Sequence, residues 1–449
     1  MNQPRVMMFT HMFPPAASSG VMRTMRYIRY LHEFGWEPVV TTVRAELTKY
    51  EKDASLLEGV SEGMTVIRTD VWAPDERLKS WFRFSRRGSS SGDPAAKSGP
   101  SGTTVVRSGS SPKALTRKLW ELVFSTPDEK IWWIGPAVRA ALQAAKERRP
   151  SVLYSTGPPH STHLIAATVK WLTGIPLVCD FRDPWAGAPW RATERNPWGF
   201  RLQRFFERFS VGAADELILN TPRLGDEFRN RYPQHGHKIN VIPNGFDPAH
   251  LSRIDGLGSS RGQDNGLVLC HPGALYNQRD PRPLIDAVGQ LAGEGHRIRF
   301  DQIGYHDPSF ELSDYISRHG LSEQVTLTNR LAHDDVLKRM HGSDVLVLIQ
   351  PGTHLQVPGK LFEMLMFRKP ILALADDGAT TDIINDYKLG LVTSPRDSDA
   401  ITRALRTLLR RNLELTQNAD WSSALDAFDG RHLTRKLAMH LQHAAERGY

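Results

Sequence analysis

Val357-Pro358-Gly359-Lys360-Leu361-Phe362-Glu363-Met364-Leu365-Met366-Phe367-Arg368-Lys369-Pro370-Ile371-Leu372-Ala373-Leu374 reads as a loop, a short helix, a tight turn and a buried strand. Pro358 suits a helix start, because its fixed φ and missing N–H cost nothing there. Leu361, Phe362, Leu365 and Met366 form an apolar stripe at helical spacing. Ile371 to Leu374 is apolar without alternation, as expected of a strand covered on both faces. Lys360 falls in the first helical turn, where a cation opposes the helix dipole unless an anion sits beside it. Glu363 lies three residues on, on the same face. A lysine for phosphate and a carboxylate for a hydroxyl pair would serve one end of a nucleotide sugar. An ordinary surface ion pair has the same spacing.

The run resembles the nucleotide-sugar-binding segment of GT-B glycosyltransferases of the family 4 retaining type. In that family the last glutamate of a Glu-x7-Glu motif holds the donor ribose, and Glu363 matches it. Leu355 stands where the first glutamate would fall. The chain is therefore similar to the branch in which a Pro-Gly/Ser-Lys-Leu-Phe-Glu run replaces the motif.

Bulk properties are those expected of a soluble globular protein of two or three domains. The 449 residues exceed what one core organises. The net charge of +8 is local: Arg77 to Lys118 holds ten Lys/Arg against one acid, +9, which leaves −1 elsewhere. A nucleic-acid partner thus loses its electrostatic support. Cys179 and Cys270, each in an apolar run, are expected as buried free thiols. No Cys/His cluster has zinc spacing, and no metal is expected. Arg5 to Phe9 reads as a strand, so no signal peptide is expected, and no apolar run approaches the roughly 18 residues of a spanning helix. The expectation is a cytoplasmic chain, peripheral at most on the inner face of the plasma membrane.

Along the chain, Val6–Phe9, a loop, a helix over 21–34 and Pro38–Val43 form a βαβ unit. Its loop lies at a strand's C-terminal end, where open α/β sheets bind ligands. Gly20 would let a ligand approach the backbone. Phe13-Pro14-Pro15, Arg23 or Arg26 and Gly35-Trp36-Glu37 resemble the same family branch. Residues 85–113 are low-complexity Ser/Gly/Pro sequence, predicted disordered. Their basic-aromatic flanks, Leu78–Phe84 and Leu115–Trp120, suit an anionic membrane surface, though aromatic residues beside a loop also pack inward.

A second unit follows, with strand Ser151–Ser155, a helix over 160–172 and strand Pro176–Cys179. His160 opens the helix and could face the cleft or serve the fold. Asp180-Phe181-Arg182-Asp183-Pro184-Trp185 is placed just past the strand. Two carboxylates and an arginine there can orient an acceptor hydroxyl or close the loop as an ion pair. Asp183, then Asp180, are the acceptor-side choices, with Arg182 where the family has a donor-site histidine. Asn196 is read as the cap of the next helix.

Residues 1–250 make the N-terminal, acceptor-side domain, 251–266 a linker, and 267–430 a nucleotide-sugar domain. The last helix, over 431–447 within the segment 431–449, should cross back to the first domain. The second domain opens with Leu267–His271. A loop with Gly273 and Arg279 follows. The family's diphosphate-binding Arg-x4-Lys pair would fall here, but Ala274 occupies its first place, so phosphate charge would fall on Arg279 and Lys360 together, beside Gly273 and Gly359. Asn329, Arg330 and Leu331 lie where the family cradles the nucleobase by backbone groups.

The resemblance implies two facing doubly wound, Rossmann-like domains. It also implies a retaining, metal-independent glycosyltransferase that uses a nucleotide sugar as substrate and no cofactor. The acceptor would be a saccharide or lipid-linked saccharide of a surface polysaccharide. A nucleotide-sugar 2-epimerase of the same fold and a non-catalytic nucleotide-sugar-binding partner are the alternatives. P-loop and dinucleotide classes fit worse: Gly352 to Gly359 encloses six residues, Lys360 precedes Leu361, and no Gly-x-Gly-x-x-Gly follows the first strand.

Overall fold

The computed structural model describes residues 3–59, 63–72, 126–187, 197–257 and 266–447. The 85–113 insert, its basic-aromatic flanks, the Asn196 cap and residues 258–265 of the linker lie outside the described residues.

Seven strands form the first sheet: β1 Arg5–Phe9, β2 Glu37–Val43, β3 Thr65–Thr69, β4 Val152–Gly157, β5 Leu177–Phe181, β6 Glu216–Leu219 and β7 Ile239–Val241. Their order is β3-β2-β1-β4-β5-β6-β7, and all pairs are parallel. Six more form the second: β8 Leu267–Pro272, β9 Ile298–Ile303, β10 Val325–Thr328, β11 Val345–Gln350, β12 Ile371–Ala375 and β13 Gly390–Thr393. Their order is β10-β9-β8-β11-β12-β13, again all parallel. Both sheets carry buried apolar clusters on each face, as crossover helices on both sides require.

Strand order reverses at β1/β4 in the first sheet and at β8/β11 in the second. At such switch points adjacent loops diverge and open a crevice beyond the strands' carboxyl ends. Nearly everything of functional interest lies at these two places.

The chain crosses between domains twice, side by side. The Phe246 N–H donates to the Phe428 carbonyl (3.1 Å), and Phe246 bridges Asp429. Gly245 has no side chain because a Cβ would come within 2.1 Å of the Phe428 oxygen. After the second crossing, helix Gly430–Arg447 lays Leu433, Leu437, Leu441 and Ala444 into the first domain's core. Further contacts join the domains. Arg223 pairs with Asp377 (2.7 Å) and Asp382 (2.5 Å), and the Thr221 hydroxyl donates to the Leu355 carbonyl (2.8 Å). Leu355 also packs against the first domain's core.

The expected strand Pro176–Cys179 is longer than its apolar run, reaching Phe181. Asp180 is thus inside the strand and fully buried. A carboxylate survives there because Arg23 meets it with two nitrogens, at 2.8 and 2.9 Å.

Candidate donor and acceptor sites

At the second switch point β8 ends in His271-Pro272 and the loop begins with Gly273. Strand pairing sets His271 opposite Gln302. The Gln302 amide donates to the Gly273 carbonyl (2.8 Å), so its Oε1 accepts from His271 Nδ1 (2.6 Å). That fixes the imidazole as the Nδ1–H tautomer, whose Nε2 lone pair accepts from Lys360 Nζ (2.7 Å). Burial and then the Lys360 charge hold His271 well below its usual pKa, which keeps it neutral for this role.

Lys360, in the seven-residue helix Gly359–Leu365, is pushed down to about 7 by burial and then by the Arg279 charge. Arg279 is oriented by Gln350 Oε1 (2.7 Å) at the end of β11 and by the face of Tyr276 (4.7 Å). Among the described residues no carboxylate pairs with either cation. Two like charges held together in this way form a site for an anion. Gly273 is part of it: its φ is +143°, and a Cβ would stand 3.0 Å from Lys360 Nζ. Because the helix has only seven residues, the anion site rests on the side chains rather than on its dipole.

Glu363 does not pair with Lys360 as their spacing allowed, since Lys360 turns to His271. Burial pushes the Glu363 carboxyl up, opposed by His333 nearby. Among the described residues nothing donates a hydrogen bond to it, so its oxygens remain available to hydroxyl groups. Beyond β10, Asn329 is exposed, Arg330 reaches across to Glu51 of the first domain, and Leu331 packs on the second domain's core. Gly359 faces open space, so no contact demands a glycine there.

The first domain's switch point is filled differently. Arg182 donates to the carbonyls of Gly20 (2.8 Å), Gly157 (3.3 Å) and Pro158. Gly20 is small because a Cβ would meet Arg182 Nη1 at 2.4 Å, and its N–H is capped by Ser18 (3.2 Å). It serves packing, not ligand approach. Asp180 likewise departs from the acceptor-side expectation. Besides Arg23 it accepts from Tyr154 and Thr156. Burial alone would raise its pKa, but the Arg23 charge and hydrogen bonds hold it below the usual range. Arg23 also reaches the carbonyls of Ile242 (2.9 Å) and Pro243 (2.8 Å), so this pair ties β5 to the first helix and to the approach to the crossing. His160 is fully buried, stacked on Trp185 at 4.6 Å and 7°, and does not line the cleft surface.

Asp183 is the one acceptor-side choice on the cleft wall. It is partly exposed and accepts from Gln356 of the opposite domain. Sequence reasoning missed His271, Gln302, Gln350 and Gln356. Their roles depend on which strands are neighbours and on cross-domain contact, which no local spacing encodes.

Residues 20–245 match the glycosyl transferase 4-like domain, and residues 259–423 match the group 1 glycosyl transferases. The chain belongs to the glycosyl transferase 4-like family. The 2-deoxystreptamine glucosyltransferase of Streptomyces kanamyceticus is 23% identical over 209 residues, 45% of this chain and 53% of that protein. The chain thus spans about half the length of the curated relatives it matches first. HepE of Anabaena, crystallised with UDP, has the same fold, with a TM-score of 0.61, 16% identity, and 98% of this chain and all of that one covered. WaaG, a glycosyltransferase involved in lipopolysaccharide biosynthesis, also shares it, with a TM-score of 0.57, 15% identity, and 97% and 99% covered. These likenesses establish the two-domain GT-B fold.

Two outcomes follow. Asp180→Asn leaves Arg23 buried without its counter-charge and should cost about 3–5 kcal/mol, read from the urea midpoint. An activity loss without a stability loss would return Asp180 to the acceptor site. Gly273→Ala should keep the fold but weaken nucleoside-diphosphate binding by about tenfold or more in calorimetry, since it puts a methyl group on the anion site in a left-handed conformation.

Proposed function

We propose that the protein transfers a sugar from a nucleoside-diphosphate sugar to a saccharide or lipid-linked saccharide during surface-polysaccharide synthesis. The observation that carries this reading is the unneutralised pair Arg279 and Lys360 at the second switch point, with the open Glu363 carboxyl in the same helix as Lys360. A diphosphate supplies the missing anion and a ribose supplies hydroxyls for Glu363. HepE, crystallised with UDP, shares the fold and lends support to a nucleotide donor.

In this reading the reaction is retaining and needs no metal, because two fixed cations already face the leaving diphosphate. Each charge-assisted contact contributes roughly 1.5–3 kcal/mol. As the bond from the anomeric carbon to the diphosphate oxygen breaks, charge grows on that oxygen and both cations bind it more tightly. The acceptor hydroxyl forms its bond on the same face, and its proton passes to a diphosphate oxygen. Asp183, at the first domain's cleft wall and linked to Gln356, orients the acceptor. The burial of Asp180 under Arg23 leaves few acidic groups for an epimerase that must work at the anomeric carbon.

Thermal stabilisation by UDP, GDP, TDP and CDP tests the donor site. One nucleotide at about 100 times its Kd should stabilise the wild type by about 2.7 kcal/mol and stabilise Lys360→Ala and Glu363→Ala much less. No stabilisation by any of them contradicts the donor reading. Product anomeric configuration, read by NMR in the presence of chelator, checks the retaining, metal-free course.

A further inference from the structure

Helix Ser19–Leu31 runs beside the first crossing between the domains and grips it at three successive turns. Arg23 donates to the Ile242 and Pro243 carbonyls and to the Asn244 side chain (3.2 Å). Arg26 donates to the Gly245 carbonyl (2.7 Å). Arg29 and Tyr30 reach the Asp247 carboxylate, the tyrosine at 2.7 Å. Positions 23, 26 and 30 share one helical face, so residues 242–247 lie along it.

These grips differ in charge. Arg23 is neutralised by Asp180 and Arg29 by Asp247. Arg26 has no carboxylate partner among the described residues. It is 4% exposed, and its Nε and Nη2 make no hydrogen bond there. Its guanidinium lies over the Tyr27 ring at 5.4 Å. Burial lowers its pKa, and the neighbouring Arg23 charge adds to that against the pull of Tyr27. The same side chain touches the second crossing. A Cβ on Gly430 would stand 2.2 Å from Arg26 Cδ and 2.6 Å from the Phe246 oxygen. One arginine thus fills the joint between both crossings.

We propose that Arg26 is the hinge residue of this joint, a buried cation that the closed cleft leaves short of partners and that biases the chain toward opening. The present arrangement is closed: Arg330 meets Glu51, Gln356 meets Asp183, and Arg223 meets Asp377 and Asp382 across the cleft. A guanidinium stays charged, so it cannot escape burial by losing its proton. Two donors without acceptors cost free energy in this state. Rotation that parts the crossings from the helix would admit water to Nε and Nη2 and remove that cost. Opening lets substrate in and product out, so a bias in this direction serves turnover. The arginine acts on the domain equilibrium and touches no substrate.

Cleft width in the full chain without ligand tests this. Spin labels on Lys49→Cys and Asp334→Cys, exposed positions near the lips that Glu51 and Arg330 join, report it by pulsed electron resonance. Cys179 and Cys270 are buried and stay unlabelled. The wild type should show a short and a long distance. Arg26→Met should lower the long-distance population about tenfold and leave the urea midpoint unchanged or higher, since the charge is gone and the stem is kept. Arg26→Gln should shift the distances in the same direction, and Arg26→Lys, which keeps the charge, should retain the wild-type distribution. The proposal is overturned if the wild type shows only the short distance, or if the uncharged variants leave the distribution unmoved. It is also overturned if lysine shifts the distribution as methionine does, or if the uncharged variants merely lower the urea midpoint. No nucleotide enters these measurements, so the outcome is independent of what the donor site binds.

Discussion

Two cations held side by side without a counter-charge set the terms for the second domain. Arg279 and Lys360 repel each other, and the cost of charging a half-buried lysine adds to that. The fold maintains the arrangement through the pairing of β8 with β9. That register sets His271 against Gln302, Gln302 on the Gly273 carbonyl, and Lys360 on the remaining imidazole nitrogen. Gln350 does the same for Arg279 from β11. A charged site so fully oriented before its ligand arrives loses little entropy on binding.

The first domain presents the opposite case at its own switch point. There the cations Arg23 and Arg182 are satisfied from within, one by Asp180 and the other by three backbone carbonyls. Arg26, on the same helix as Arg23, donates to the Gly245 carbonyl (2.7 Å) and keeps two nitrogens without a hydrogen-bond partner among the described residues. The two halves share a doubly wound plan, and among the described residues Arg279 and Lys360 stand without a carboxylate partner at the second sheet's switch point. In the proposed reading the diphosphate takes the second domain's side of the cleft and the acceptor the first domain's side. The contacts of Gln356 with Asp183 and of Thr221 with Leu355 join the two sides. The Leu355 side chain packs on the first domain's core.

Much of the fold was legible because parallel strands announce themselves as apolar runs. Arg5–Phe9, Val325–Thr328 and the strand after Pro370 all follow from that signal. The strands Thr65–Thr69 and Gly390–Thr393 escaped it, being partly exposed at sheet edges with mixed composition. Lys360 and Arg279 stood out in the sequence as charge placed where a helix start disfavours it, and Glu363 by its spacing from Lys360 and by the resemblance. Asp180 was misplaced for a physical reason: a charged residue was taken to end a buried strand, but Arg23, 157 residues away, neutralises it inside. Gly20 was read as a ligand contact when its hydrogen atom makes room for Arg182. His271 and Gln302 are silent in sequence because only strand order and register bring them together.

The most direct measurement is the titration of the Lys360 ammonium by NMR, without ligand and with UDP or whichever nucleotide stabilises the chain. The sign is fixed by the site. Without an anion, burial and Arg279 lower the pKa from 10.5 to about 7, so the charged form is lost as pH rises through neutrality. A bound diphosphate favours the ammonium and should raise the pKa by about two units or more, so binding takes up a proton near neutral pH. A free-chain pKa near 7 that climbs on binding is the expected result. A pKa near 10 in the free chain, or one that nucleotide leaves unmoved, would contradict the claim that this domain is built around an unneutralised cationic pair.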